Sequence, residues 1–230
     1  MQVQRTETKF LINQKEALLL IARLDAILPR DPHAVSPQGY LVRSLYFDTP
    51  GDRCCVEKAD GLLVHEKIRA RIYSTQDARV KLECKHKTGE SQIKRTLSIS
   101  REMLEALCQG NYAALLTLQD PLAPFFYEKL MRGAFRPKNI IQYQRLSFCQ
   151  DLNNTRITFD SDLRATESCL NLFQEPLPTH PLLPPDQLIL EVKYNNFLLG
   201  YIKDALRGLH KSPTSYSKYA SGRSFYRTML

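Results

Sequence analysis

The stretch VHEKIRARIYSTQDARVKLECKHK, residues 64–87, contains two segments in which charged and apolar side chains alternate. Successive side chains of a β-strand point to opposite faces of the sheet, so residues two apart share a face. The pattern therefore predicts two strands, each with one charged face and one apolar face. The predicted charged faces consist of His65, Lys67, Arg69, Arg71 and Tyr73 in the first strand and Lys81, Glu83, Lys85 and Lys87 in the second.

The same period of two recurs along the chain and predicts a protein rich in β-structure. We expect strands over 3–11, 40–48, 62–74, 78–87, 92–99, 140–149, 154–160 and 187–194. Charged faces recur on these strands as Arg5, Glu7 and Lys9, as Tyr143, Arg145 and Ser147, and as Glu191 and Lys193. Helices are expected over 14–28 behind the N-cap Asn13, from Ser100 to about Gly110, over 122–134 and over 198–210. Five prolines in 174–186 predict a loop.

One charged strand face alone is typical of the wet side of an antiparallel sheet. Repetition of basic faces is harder to explain, because like charges on neighbouring strands repel each other. A closed barrel that turns its charged faces inward around an anionic ligand, with helices packed outside, satisfies all these observations. We therefore expect an α+β fold, a closed eight-stranded antiparallel β-barrel forming a tunnel, in a single domain over residues 1–230.

Charge points to a polyanionic partner, because 32 Lys and Arg against 24 Asp and Glu give the 230 residues a net charge of +8. Nucleic acid, an anionic membrane and a phosphate compound all fit this excess. Hydrophobic residues at 43% and charged residues at 24% exclude a disordered chain. Six scattered cysteines without a zinc spacing favour a reducing compartment. Since no signal peptide or spanning apolar run is visible, we expect a cytoplasmic protein without a transmembrane segment of its own.

The charged segments, read in order, resemble the triphosphate tunnel metalloenzymes and, among them, the VTC-type polyphosphate polymerase domain. The similar segments are RTETKF (5–10), RSLYFDT (43–49), KIRAR (67–71), KLECKHK (81–87), IKR (93–95), YQRLSF (143–148), LEVKY (190–194) and SYSKYASG (215–222). No single segment is specific, since E-x-K is common in proteins. The resemblance depends on their order along nearly the whole chain.

The resemblance implies a set of site residues. The implied catalytic residues are Arg69, Arg71, Lys85, Arg145 and Lys218, and the implied substrate ligands are Lys9, Lys94, Tyr143 and Ser217. Glu191 would be the carboxylate that binds Mn²⁺ or Mg²⁺. Alternation along the strands adds Lys67, Lys81, Lys87 and Lys193 to the substrate-binding faces. Arg5 stands where other branches of the superfamily open with glutamate, which favours the polymer-handling branch and leaves Glu7 as the second candidate metal ligand.

The implied function is that of a metal-dependent polyphosphate polymerase, which transfers the γ-phosphoryl group of ATP onto a growing inorganic polyphosphate chain in a basic tunnel. A triphosphatase or polyphosphatase of the same fold, acting on a nucleoside triphosphate or tripolyphosphate, is the first alternative. A non-catalytic polyphosphate-binding module is the second. The expected partners are ATP and inorganic polyphosphate or triphosphate; an unidentified membrane partner stays open. Nucleic acid is not expected, because the chain has no Trp and few aromatic residues among its basic faces.

Overall fold

In the computed structural model, the protein is described over residues 5–34, 36–89, 91–209 and 211–227. The strands in these residues are β1 (Arg5–Asn13), β2 (Tyr40–Asp48), β3 (Val64–Ile72), β4 (Arg79–Thr88), β5 (Ser91–Ser100), β6 (Arg136–Gln150), β7 (Thr155–Thr166), β8 (His180–Pro181) and β9 (Gln187–Asn195). The α-helices are α1 (Gln14–Asp25), α2 (Arg53–Ala59), α3 (Arg101–Cys108), α4 (Ala123–Arg132), α5 (Gly200–Ala205) and α6 (Lys218–Arg227).

The strands form an antiparallel sheet with the order β1-β9-β7-β6-β2-β3-β4-β5, and the short β8 pairs with β7. This confirms the α+β class and the eight main strands. Over the described ranges the hydrogen-bonded path ends at β1 and β5, so the sheet is not closed by hydrogen bonds. Within the same ranges, no helix combines the length and the apolar character needed to cross a membrane.

Contacts divide the chain into two compact units, which are described separately. The first unit comprises Met1–Leu41, Tyr143–Arg164 and Pro181–Tyr216, and the second comprises Val42–Gln142, Ala165–His180 and Ser217–Leu230. The long strand β6 supplies residues to both units, because the boundary falls between Gln142 and Tyr143.

In the first unit, β9 pairs on one side with β1 and on the other with β7. Their apolar faces form a hydrophobic core with α1 and α5, made of Ile12, Leu20, Leu24, Phe148, Ile157, Phe159, Leu190 and Ile202 among others. Helix α1 begins as the sequence predicts: Asn13 accepts a hydrogen bond from the Glu16 backbone, and the Glu16 carboxylate accepts one from the Asn13 backbone. This reciprocal cap satisfies two N–H groups at the helix start.

In the second unit, β2, β3, β4 and β5 are neighbours in antiparallel register. The apolar side chains predicted to share one face, Ile68, Ala70, Ile72, Val80 and Leu82, are fully buried. They pack beneath α3 and α4 with Leu107, Phe126 and Leu130. Ser100 caps α3 as expected, since its hydroxyl accepts from the Met103 backbone N–H. The opposite face of these strands is thereby left to the charged residues.

The structure differs from the sequence prediction mainly in its helices. The predicted helix over 198–210 is only Gly200–Ala205, and residue 210 lies outside the described residues. Helices α2 and α6 were not predicted. The first strand, predicted over 3–11, is described over Arg5–Asn13. Residues 3 and 4 of its predicted range lie outside the described residues. The proline-rich loop carries the two residues of β8.

Candidate functional site

Most of the charged side chains of β3, β4 and β5 lie in rows across one face of the second unit. We call this surface the basic face; its members are Lys67, Arg69, Arg71, Lys81, Glu83, Lys85, Lys87 and Lys94. Lys67 lies opposite Lys85, and Lys85 lies opposite Lys94. The predicted substrate residues of these three strands therefore share one surface. Its cations outnumber its carboxylate, and like charges in neighbouring rows repel each other.

Glu83 is the buried anion of the basic face, with 2% of its surface exposed. Arg69 Nε lies 2.7 Å from Glu83 Oε2, Arg71 Nη1 lies 3.9 Å from the same oxygen, and Lys94 pairs with Oε1. Burial opposes ionisation of Glu83, but the positive charges of these neighbours outweigh it and lower the pKa to about 2. Glu83 therefore stays ionised and holds three cations in fixed positions.

Two polar side chains of β2 hold the arginines of the basic face. Arg69 Nη1 donates to the Tyr46 hydroxyl at 3.3 Å, and Arg71 Nε donates to the Ser44 hydroxyl at 3.1 Å. Burial alone would raise the pKa of Tyr46, but the charges of Arg69 and Arg71 lower it. Both guanidinium groups thus have contacts on β2 as well as on β4, which fixes their orientation.

The start of α6 lies at the basic face. Lys67 Nζ donates to the Ser217 hydroxyl at 2.9 Å, and the same hydroxyl accepts from the Ala220 backbone N–H at 3.4 Å. The charge of Lys218 also contributes to the lowered pKa of Tyr46. The structure therefore brings Ser217 and Lys218, which are distant in sequence, to the same surface as Lys67.

Tyr219 fixes α6 in this position. Its hydroxyl donates to Asp48 Oδ2 at 2.7 Å, and its ring stacks on Tyr46 with 4.9 Å between centroids. The Asp48 carboxylate also accepts from the backbone N–H groups of Cys54 and Cys55 at the start of α2. One fully buried carboxylate thus joins β2, α2 and α6.

A second charged surface lies in the first unit, which we call the mixed face. It comprises Glu7 and Lys9 on β1, Arg145 on β6, Asp160 on β7, and Glu191 and Lys193 on β9. Lys193 Nζ lies 3.0 Å and Lys9 Nζ 4.0 Å from Glu191 Oε1. Arg145 Nη2 lies 3.9 Å from Glu191 Oε2. The predicted metal ligand is therefore surrounded by three of the predicted phosphate ligands.

Arg145 is oriented by two hydrogen bonds to Asp160. Nε and Nη2 donate to the two carboxylate oxygens at 2.7 and 2.8 Å, and Asp160 is fully buried. Burial alone would lower the pKa of Arg145, but Asp160 and other neighbouring groups raise it well above its ordinary value. The guanidinium lies 5.2 Å from the ring centroid of Tyr143, so this predicted pair is also brought together.

Burial and charge act in opposite directions on the Glu191–Lys193 pair. Burial alone would raise the pKa of Glu191, but Lys193 and Lys9 lower it. Burial lowers the pKa of Lys193 to about 8, although Glu191 and Glu7 oppose this. Thr158, directly opposite Glu191 in the β7–β9 register, has a buried hydroxyl without a hydrogen-bond partner among the described residues. The surroundings of Glu191 thus include a buried oxygen still able to accept or donate a bond.

The donor set of the mixed face fits a divalent metal that is shared with phosphate oxygens. Within the described parts of the chain, no group of three His, Cys, Asp or Glu side chains is arranged to hold a metal ion. Glu7 lies close enough to Glu191 to raise the pKa of Glu191, and both side chains offer carboxylate oxygens as metal ligands. Mg²⁺ typically takes one or two carboxylates, substrate phosphates and water in place of a full protein cage. Glu191 and Glu7 satisfy this requirement.

The alternation along the strands predicts the cations of both faces but not the groups that orient them. It assigns Glu83 to the charged face of β4, where an ion pair is expected, without giving it a role. It gives no role to Asp160, Tyr46 or Asp48. Alternation along β7 offered a signal for Asp160, because it shares a face with Thr158.

Solved structures with the same fold include two adenylate cyclase candidates. One, from Bacillus halodurans, has a TM-score of 0.50 at 10% identity and covers 92% of this chain and 95% of its own. The other, from Hippeastrum, has a dominant triphosphatase activity; its TM-score is 0.53 at 14% identity, with 98% of this chain and 96% of its own covered. No curated protein matches the sequence. At these identities the likeness defines the fold, which is that of the triphosphate tunnel metalloenzymes.

The sequence matches the VTC domain over residues 4–226. The chain therefore belongs to the VTC domain family, as its motifs indicated. The family match and the shared fold therefore agree with each other.

Proposed function

We propose that this protein is a metal-dependent polyphosphate polymerase, which transfers the γ-phosphoryl group of ATP onto a growing inorganic polyphosphate chain. The excess of cations on the basic face is the observation that carries the proposal. Glu83 balances only part of the charge of Arg69, Arg71 and Lys94. Lysines in the neighbouring rows add further positive charge, which a polyanion such as polyphosphate would neutralise.

The arginines of the basic face suit phosphoryl transfer because their contacts fix them before substrate binds. In the proposed reaction, an oxygen of the terminal phosphate of the chain attacks the γ-phosphorus of ATP, the bond from that phosphorus to the β,γ-bridging oxygen breaks, and ADP leaves. This chemistry requires positioning and charge neutralisation more than a protein nucleophile. Arg69, Arg71 and Arg145 would stabilise the negative charge of the transferring group without reorganising. Lys85 and Lys218 are the other proposed catalytic residues.

The remaining predicted residues are proposed to hold the phosphates and the metal. The proposed phosphate ligands are Lys9, Lys67, Lys81, Lys87, Lys94, Tyr143, Lys193 and Ser217. Glu191 and Glu7 would hold Mn²⁺ or Mg²⁺. The metal would supply a positive charge that neutralises phosphate oxygens. Lys9 and Lys193 lie against Glu191, so they would keep the carboxylate ionised and add positive charge beside the metal.

We also propose that both units belong to one domain over residues 1–230. The VTC match supports this, because it spans residues 4–226 and so includes segments of both units. We further propose, from the sequence alone, a cytoplasmic location and an unidentified membrane partner.

Hydrolysis is the second candidate function. The triphosphatase activity of the Hippeastrum protein of the same fold favours it. The two reactions differ in the group that attacks the γ-phosphorus, which is water in a triphosphatase and a phosphate chain end in a polymerase.

Incubation of the purified protein with ATP and Mn²⁺ or Mg²⁺ distinguishes these functions. A polymerase yields ADP and polyphosphate that is visible on a gel and is degraded by an exopolyphosphatase. Release of ADP and orthophosphate alone would identify a triphosphatase. Binding of polyphosphate without consumption of ATP would identify the non-catalytic module.

A further inference from the structure

Helix α6 carries a charged residue that the proposed site does not use, Arg223. Its Nη1 donates to Glu167 Oε1 at 2.6 Å, and its Nη2 donates to Asp52 Oδ2. Lys138 Nζ lies 3.0 Å from the other carboxylate oxygen of Asp52. The four side chains are at most 18% exposed, so they form a largely buried network of two cations and two carboxylates. Through this network Arg223 joins α6 to the segment before α2, to the end of β7 and to β6.

Arg223 and Tyr219 make two matched contacts along α6. They are four residues apart, so they lie on the same side of the helix. Their partners, Asp52 and Asp48, are also four residues apart, in the segment that ends β2 and precedes α2. A rotation of α6 by one residue would break both contacts at once, because each residue turns the helix by about 100°. The two pairs thus fix the rotation and the axial position of the helix together.

Gly222 brings the same part of α6 directly against β6. A Cβ added at this position would lie 2.6 Å from Ile141 Cδ1 and 2.7 Å from Asn139 Nδ2. Both distances are shorter than a van der Waals contact, so a larger residue would push the helix away from the strand. The helix therefore contacts β6 through Gly222 and the two carboxylates through Tyr219 and Arg223, which leaves its end little freedom to shift.

Stability alone does not explain why this contact is ionic. Replacement of a buried ion pair by apolar residues of similar volume is often neutral or stabilising. An ionic contact adds direction, because a planar guanidinium that donates to two carboxylates accepts few orientations. Burial alone would lower the pKa of Arg223, but its hydrogen bonds to Asp52 and Glu167 raise it, so the group stays charged. The orientation that the guanidinium fixes is that of α6.

The orientation of α6 matters because Lys218, a proposed catalytic residue, is the first residue of the helix. The charge of Lys218 acts on Tyr46, which also accepts from Arg69 of the basic face. Arg223 is itself committed to two carboxylates, so its effect on phosphate would pass through the helix. We propose that Arg223 is a positioning residue, which fixes the rotation of α6 and thereby holds Lys218 at the basic face. This inference rests on the proposed function, because it requires Lys218 to bind phosphate.

A double-mutant cycle between Arg223 and Lys218 tests this inference in the full-length protein. The measurement is the dissociation constant of inorganic tripolyphosphate at one salt concentration by calorimetry, after thermal unfolding has shown that each variant is folded. We expect K218Q to weaken binding about tenfold, R223Q about fivefold, and the double variant only about as much as K218Q alone. The loss should not add, because the orientation of α6 no longer matters to phosphate once the lysine is gone.

Two further variants complete the experiment. R223K keeps the charge but cannot span both carboxylates, so it should weaken binding about twofold, and it replaces R223Q in the cycle if R223Q does not fold. Arg132→Gln is the control, because it removes an exposed arginine that pairs with Glu128 on α4, and it should leave the affinity unchanged.

The outcomes separate the inference from the proposed function. If the losses of K218Q and R223Q add in the double variant, Arg223 does not act through Lys218, and the inference fails while the role of Lys218 stands. Unchanged affinity of R223Q and R223K, or an equal loss in R132Q, would overturn the inference in the same way. If K218Q binds tripolyphosphate as tightly as the unmodified protein, the proposed role of Lys218 and the inference fail together. If the unmodified protein binds no tripolyphosphate, the proposed function fails as well.

Discussion

The two charged faces of the molecule are built by the same alternation along strands but differ in their balance of charge. On the mixed face of the first unit, Arg145 is matched by Asp160, and Lys193 by Glu191. On the basic face of the second unit, Arg69, Arg71 and Lys94 share the single carboxylate of Glu83. A buried charge is costly unless it is paired. On the mixed face Arg145 and Lys193 each have a carboxylate, whereas on the basic face three cations share one.

This difference indicates that the two faces have different roles in binding metal and phosphate. The mixed face offers carboxylate oxygens beside cations, which suits a metal ion and the phosphates bound to it. The basic face offers fixed cations in excess, which suits a chain of phosphates. Loss of a carboxylate from the mixed face should therefore reduce metal-dependent turnover, and loss of a cation from the basic face should reduce phosphate affinity.

The largest expected effect is that of Glu191→Gln on the mixed face. Loss of the carboxylate removes the proposed metal ligand, so we expect turnover of ATP to fall at least about a hundredfold. Affinity for tripolyphosphate without metal should change much less, because the cations of the basic face remain; the loss is limited to Lys193, which no longer has the carboxylate that opposes the lowering of its pKa. Turnover across Mn²⁺ concentrations and metal-free calorimetry check the two halves of this prediction.

Asp204→Asn is the control for this change, since it removes an exposed carboxylate from the same unit. Thermal unfolding of both variants shows whether each is folded before activities are compared. Unchanged turnover of E191Q at every Mn²⁺ concentration would exclude Glu191 as a metal ligand.

On the basic face, the next largest effect concerns the stability of the second unit in acid. The pKa of Glu83 is about 2 in the folded protein and near 4.5 when unfolded, so its contribution to stability is complete above pH 4.5 and is lost as the pH falls toward 2. The shift corresponds to roughly 3 kcal/mol. Glu83→Gln should remove this dependence, and denaturant unfolding at a series of pH values between these limits measures it.

Glu128→Gln, which removes an exposed carboxylate from α4, is the reference for that comparison. If E83Q and E128Q lose stability in parallel as the pH falls, the charges around Glu83 do not stabilise it as described. Phosphate affinity of E83Q measured at neutral pH then tells whether the cations hold their positions without it.

The sequence was sufficient to predict the charged faces but not the pairing within them. Alternation is a local property, so β3 and β4 and the burial of Ile68 and Leu82 could be read from residues 64–87. The sharing of Glu83 depends on the register between strands, which distant contacts determine. Arg43 shows the limit: it lies on a predicted strand, yet it is buried on the apolar side and donates to the Leu172 carbonyl.

The sequence does not predict helices α2 and α6, because the contacts that hold them do not appear in a local pattern. The N–H groups at the start of α2 are satisfied by Asp48, which precedes the helix by five residues and does not occupy a standard N-cap position. Helix α6 is polar in sequence, and its position depends on Tyr219 and on a carboxylate more than a hundred residues away. Neither signal is visible in a local window of sequence.

A smaller effect on the basic face is expected from Arg69→Lys. Lysine keeps the charge but not the planar set of donors that contacts Glu83 and Tyr46, so we expect about a tenfold loss of tripolyphosphate affinity. Arg53→Lys is the control, because Arg53 pairs with Glu66, which lies on the other side of β3. Equal affinity of R69K and the unmodified protein would mean that charge alone, and not the fixed guanidinium, determines binding.

The smallest expected effect, Tyr219→Phe, tests how α6 is held at the basic face. The change removes the hydrogen bond to Asp48 but keeps the ring stacked on Tyr46, so the free energy of unfolding should fall by about 1 to 2 kcal/mol. Tyr201→Phe removes a hydroxyl that accepts from Gln150 at an exposed site of the first unit and should cost less. If α6 positions Ser217 and Lys218, Y219F should also weaken tripolyphosphate more than Y201F does. A loss of stability with unchanged phosphate affinity would separate the anchoring of the helix from the binding of substrate, and would leave the basic face of β3, β4 and β5 as the determinant of affinity in the second unit.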